Sequence, residues 1–189
     1  MSVPPRDLLA AKVRELIEMH GEWDSLHQFV TLHWDGERLS YGTVALIDPH
    51  IHPDQYPPLM IRMARERLGE HPDDPPYAYV LQIECFGAVD PGPDASEEER
   101  RRFDADRRGR TFYKRPDALE MAIAYCVDIH GRFWTAGKVR GKEDRIEEHF
   151  YRPGAELSGQ FIRALKTVAA TTGVIAHGLR PTVRGETWN

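Results

Sequence analysis

Asp48-Pro49-His50-Ile51-His52-Pro53-Asp54 sets two histidines between two aspartates. In an extended conformation Asp48, His50, His52 and Asp54 fall on one side, because successive side chains of a strand alternate. Imidazole with carboxylate is a workable Zn²⁺ ligand set, and the chemistry on offer is metal-dependent hydrolysis. The candidate ligands are His50, His52 and Asp48, with Zn as the cofactor. Pro49 and Pro53 forbid a regular central strand at this point. The competing expectation is a surface turn whose histidines hydrogen-bond locally, with no cofactor.

Arg100 to Arg115 is the second candidate. Eight basic residues against Asp104 and Asp106 give a local net charge of +6, with Phe103, Phe112 and Tyr113 interleaved. Arginines with aromatic residues suit unpaired nucleic-acid bases. The same mixture suits a protein partner, with Arg101, Arg102, Arg107, Arg108, Phe112 and Tyr113 as the contacts. Asp90, Asp94 and Glu97 to Glu99 precede it, so the whole 90–115 stretch is nearly neutral. A solvated, salt-bridged helix is the plainer expectation.

Residues 46–54 resemble the His-x-His at the end of the first barrel strand in the amidohydrolase superfamily. The resemblance implies a catalytic metal, often Zn²⁺, on His50 and His52. It covers only this stretch. The (β/α)₈ barrel of that family takes about 250 residues against 189 here, and His71, His130, His149 and His177 do not follow barrel-strand patterns. No phosphate-binding loop, dinucleotide fingerprint, Gly-x-Ser-x-Gly or Cys-x-x-Cys occurs. Cys126 and His130 lie four apart across a turn and read as strand end plus loop. Cys85 and Cys126 each sit in an apolar strand, as small buried hydrophobes do in a reducing compartment. No complete catalytic set emerges, so an enzyme is not the expectation.

The elements that must position these residues are legible from periodicity. Met121, Ile123, Tyr125 and Val127 recur at period 2, Asp128 opens a turn, Gly131 closes it, and Arg132 to Val139 returns. The opposite face, Ala122, Ala124 and Cys126, is small rather than polar, so this strand is expected to be covered on both sides. His27 to Trp34, Asp35-Gly36 and Leu39 to Ile47 spell another hairpin. Tyr77 to Val89 reads as a long apolar strand whose one charge, Glu84, marks an edge, a paired carboxylate or a functional acid.

Leu9, Val13, Leu16, Ile17 and His20 form one helical stripe. Met60, Met63, Ala64 and Leu68 form a second, and Leu157, Phe161, Leu165 and Val168 a third that Gly173 is expected to end. Ser96 and Glu99 match a capping box for a short charged helix inside 90–115. Gly141 to Glu148 reads as a polar connection. Phe133, Trp134, Trp34, Tyr77 and Tyr79 read as core, with an aromatic-anchored interface as the alternative.

The chain is therefore expected to be one α+β domain over 1–189. A mainly antiparallel sheet of about five strands, two hairpins plus one long strand, packs with about three helices, and 90–115 is an exposed insertion. A net charge of -5 and a pI near 6.0 oppose a whole-surface nucleic-acid coat. The excess of Arg over Lys fits a high-GC genome such as that of an actinobacterium or its phage. No apolar run suits a membrane span and the first residues lack a signal-peptide pattern, which points to the cytoplasm. The expected role is a non-enzymatic accessory protein that binds a macromolecule, a protein partner or a second copy of itself, through the insertion. A metal-dependent hydrolase through His50 and His52, and a single-stranded nucleic-acid binder through Arg100 to Arg115, are the alternatives.

Overall fold

The computed structural model describes residues 2–155, 157 and 159–180. In chain order the elements are α1 (Arg6–Met19), β1 (His27–Trp34), β2 (Leu39–Ile47), α2 (Tyr56–Glu70), β3 (Ala78–Gly87), α3 (Glu97–Gly109), β4 (Leu119–Asp128), β5 (Phe133–Val139), β6 (Lys142–Tyr151) and α4 (Gln160–His177). The six strands form one antiparallel sheet in the order β2-β1-β3-β4-β5-β6. The α+β class is as expected, with six strands rather than five.

The additional strand, β6, replaces the polar connection expected over Gly141 to Glu148. Six of its ten residues are charged and most are exposed. An edge strand gains from charge, which discourages a further strand from pairing with it, and that same charge erases the apolar alternation by which a strand is read.

Both faces of the sheet are covered. Tyr79, Leu81, Phe29, Val127 and Phe133 pack beneath α2 and α4, which contribute Tyr56, Met60, Leu165 and Val168. On the opposite face Val80, Ala122, Ala124, Cys126 and Trp134 pack beneath Leu9, Val13 and Ile17 of α1. The small residues of β4 let α1 lie close, and each large aliphatic side chain buried there is worth about 1.5–3 kcal/mol. Tyr77, Tyr79, Phe133 and Trp134 are all core.

The β4–β5 turn is built on Asp128, which is fully buried. It accepts from the backbone N–H of His130 (3.0 Å) and of Arg132 (2.9 Å) and from Arg132 Nε (2.6 Å). A carboxylate is tolerable inside only when paired and hydrogen-bonded in this way. Gly131, at φ 75°, supplies the left-handed residue.

Gly173 does not end α4. It lies within the helix, where a Cβ would come 3.1 Å from the Ile129 carbonyl, so close approach of helix to sheet is its use. Gly178 caps the helix instead, at φ 64°.

The insertion between β3 and β4 folds as expected at its start. Ser96 Oγ accepts from the Glu99 amide while the Glu99 carboxylate accepts from the Ser96 amide, a reciprocal cap on α3. Phe103 is the one buried side chain of this helix and packs on Phe112, with ring centroids 5.1 Å apart. Among the described residues no helix is long and apolar enough to cross a membrane.

Candidate functional site: a cleft beneath the insertion

Four segments converge at the C-terminal end of β3. They are Ile83–Phe86 of β3 itself, the β2–α2 connection with Tyr56, the start of α4, and the end of the insertion. Together they line a cleft of about 560 Å³, a size ordinary for a ligand site. A clasp holds three of them in place. Arg110 donates to Asp54 (2.8 Å) and to Gln160 Oε1 (3.0 Å), and Gln160 Nε2 donates to the Pro53 carbonyl (2.8 Å). The guanidinium at Asp54 keeps that carboxyl below its ordinary range.

The walls are apolar. Phe86 meets Tyr113 at 6.4 Å between centroids, Phe161 meets Tyr56 at 5.3 Å, and Ile51, Ile83 and Phe112 fill the space between. Positive charge comes from Arg107 and Arg110 of the insertion and Arg163 of α4, all exposed. Arg107 also pairs with Asp104 (2.7 Å). Each guanidinium has five donors, so one partner does not exhaust it.

Two buried polar side chains form the floor. Tyr56, at 2% exposure, has its hydroxyl 2.5 Å from His27 Nδ1, and the Glu84 amide donates to His27 Nε2 at 3.1 Å. Burial lowers the His27 pKa against the opposing pull of Glu84, and burial pushes the Tyr56 phenol up to about 12. Both groups are neutral near pH 7.

Glu84 is a paired carboxylate on a central strand. Alternation along β3 sends its side chain to the α1 face, where it accepts from the Asp24 amide (2.8 Å), the Ser25 amide (3.1 Å) and Ser25 Oγ (3.1 Å). His20 Nε2 also lies 3.3 Å from it. Cys85 borders the cleft, but burial pushes its thiol up to about 12, far from nucleophilic. Cys126 faces α1 and burial raises its thiol as well, whereas the His130 ring lies tilted against Tyr77, with centroids 5.8 Å apart.

Of the residues singled out in the insertion, Arg107, Phe112 and Tyr113 line the cleft. Arg101 instead pairs with Glu97 (3.0 Å), Arg102 borders a shallow groove with Asp90, Asp94 and Glu99, and Arg108 is exposed on the last turn of α3.

Asp48, His50 and His52 are all exposed. Asp48 Oδ1 accepts from the His50 amide (2.8 Å), and His52 Nδ1 accepts from the Asp54 amide (3.3 Å) at the head of a 3₁₀ turn over Pro53–Gln55. It is their neighbours Pro49, Ile51 and Pro53 that reach the cleft. Among the described residues one trio of ligand-type side chains gathers elsewhere, Asp24, Glu84 and Glu120. Arg140 pairs with two of its members, 2.9 Å from Glu120 and 3.5 Å from Asp24.

Sequence reading did not single out His27, Tyr56, Gln160 or Arg163, and it placed Arg110 only within the basic stretch and Phe161 only in a helical stripe. The available signal was weak. Tyr56 precedes Pro57-Pro58 and so opens a helix, and His27 opens a strand, but the two meet only in the folded sheet, where His27 faces Ile47 across the β1–β2 ladder and the connection after β2 leads back to Tyr56. Comparison with known protein families, curated proteins and solved structures finds no match to this chain.

Proposed function

We propose that the chain is a non-enzymatic binding protein that receives an acidic, apolar-anchored segment of a macromolecular partner in the cleft beneath the insertion. One observation carries this reading. Arg107, Arg110 and Arg163, from two separate elements, converge on a cleft otherwise walled by aromatic and aliphatic side chains, and the Glu84 carboxylate is turned to the opposite face. Apolar walls strengthen attraction to a carboxylate, the guanidinium fork grips it in bidentate fashion, and Arg and Tyr are the residues that dominate binding energy at interfaces.

A partner segment with one bulky apolar side chain fills the walls while its acidic residues meet the rim. Nucleic acid is less suited, because the 90–115 insertion as a whole is nearly neutral and the chain carries a net charge of -5.

The experiment is fluorescence anisotropy with labelled peptides in which acidic residues flank a single phenylalanine or leucine, across a salt series. Binding weakens as salt rises. In the Arg107→Glu/Arg163→Glu double variant affinity drops at least about tenfold, equivalent to 1.4 kcal/mol, and it disappears when Ala95–Gly109 is replaced by a short Gly/Ser linker. Undiminished affinity in either variant, or equal binding of sign-reversed basic peptides, rules the reading out.

A further inference from the structure

We infer that the hydroxyl of Tyr56 is a fixed hydrogen-bond donor at the cleft floor, so that the bound segment must present an uncharged carbonyl oxygen there as well as its acidic groups at the rim. The inference rests on the proposed anion-binding role of the cleft and adds the second half of its recognition.

The direction of the donor follows from proton bookkeeping along three groups. The Glu84 amide donates to His27 Nε2, so that nitrogen carries no hydrogen. A neutral imidazole carries one N–H, which must therefore sit on Nδ1. Nδ1 lies within hydrogen-bond reach of Tyr56 Oη, and it is the donor of that bond. The phenol oxygen accepts, which leaves its own O–H hydrogen to be placed elsewhere. Among the described residues no acceptor takes it. Asp48 is near enough to help raise the Tyr56 pKa, yet the one hydrogen-bond partner of the Tyr56 hydroxyl among the described residues is His27. Tyr56 is otherwise enclosed and borders the cleft, so the cleft is where the hydrogen points. Donation from His27 polarises the phenol and strengthens the bond it makes onward.

The floor also discriminates by charge. A carboxylate seated there would meet no cation on the floor itself, and burying an unpaired charge is far costlier than burying a hydrogen-bonded neutral group. The arginines stand at the exposed rim. The geometry thus sorts a ligand with its neutral carbonyl inward and its acid outward. The backbone amide of an acidic peptide meets both requirements.

Two measurements on the full chain test this. In the first, long-range proton–nitrogen correlation of ¹⁵N-labelled protein reads the His27 tautomer without any ligand. A protonated Nδ1 and a bare Nε2 are expected, and a protonated Nε2 overturns the inference. In the second, calorimetric titration compares octanoate with the keto acid of the same chain length whose carbonyl lies one carbon from the far end. Both offer a carboxylate to the rim, and only the keto acid offers a carbonyl to the floor.

The wild-type chain is expected to favour the keto acid by at least about tenfold, since a donor left unmatched in a buried site is costly. Tyr56→Phe abolishes that preference, so that the two acids bind that variant alike. Salt-sensitive binding of both acids with equal affinity overturns the Tyr56 inference and leaves the anion cleft standing. Failure of both acids to bind removes both readings.

Discussion

His20, His27 and His130 are each held below the ordinary imidazole range, with burial the largest cause in all three. Glu84 opposes the shift at His20 and His27, and Asp128 opposes it at His130, without cancelling it. The unfolded chain takes up these protons near the usual His value of about 6.5, whereas the folded chain takes them up only at lower pH. Between those values the unfolded state binds more protons, so stability falls as pH is lowered through about 6.5. Urea denaturation between pH 8 and pH 5 is expected to show a midpoint that declines below pH 6.5, ahead of the carboxylates. A midpoint flat to pH 5 would contradict the burial of these rings.

At this scale the sequence was partly legible. Glu84, as the lone charge of an apolar strand, was readable as a paired carboxylate. What it pairs with was not, because the Asp24 and Ser25 amides lie about sixty residues away. His27 and Tyr56 were hidden for a similar reason, since they lie 29 residues apart, one on a strand and one on a helix, and meet only when α2 packs on the sheet.

Among the elements, α3 illustrates how little burial is needed to aim a wall. Its surface is charged and Phe103 is its one buried side chain, packed against Phe112. Phe103→Ala removes that anchor without touching either core, so global stability should change by less than about 1 kcal/mol, well under the 3–5 kcal/mol of a core Phe→Ala. Affinity for acidic peptides should fall severalfold, since Arg107, Arg110 and Phe112 lose their common support. Parallel urea melts and anisotropy titrations check this. A large loss of stability with intact binding would mean that the helix belongs to the core instead.

The capping box, the hairpin turns and the amphipathic stripes of α1 and α2 were visible because each is a local pattern. β6 was not, since an edge strand guards itself with the charges that disguise it. Gly173 misled for a related reason. A glycine in a helical stripe signals termination by propensity, and only tertiary contact with Ile129 explains why the helix runs through it.

For the molecule as a whole, the central fact is one sheet with a core on each face, both cores drawing on the same strands β1, β3, β4 and β5. Neither face can melt while the other stays ordered. Ile17→Ala on the α1 side and Leu165→Ala on the α4 side each remove a fully buried aliphatic side chain, at a cost of about 2–5 kcal/mol. Both are expected to shift a single transition, with near- and far-ultraviolet circular dichroism tracing the same curve. Separate transitions for the two variants would show that the faces fold independently. The α+β class followed from interspersed apolar periods, but strand order and the convergence beneath the insertion depend on contacts that no local pattern records.

Gly87 and Leu119 are opposed across the β3–β4 ladder, so residues 88–118 leave the sheet and rejoin it at adjoining points. Closing a longer excursion between fixed ends adds only about 0.6 kcal/mol per doubling of its length. Arg107, Arg110, Phe112 and Tyr113 all ride on that excursion. The insertion's share of the proposed recognition surface is therefore a cassette. A different graft between the same two anchor residues would redirect what the protein grips while leaving every strand register as it stands.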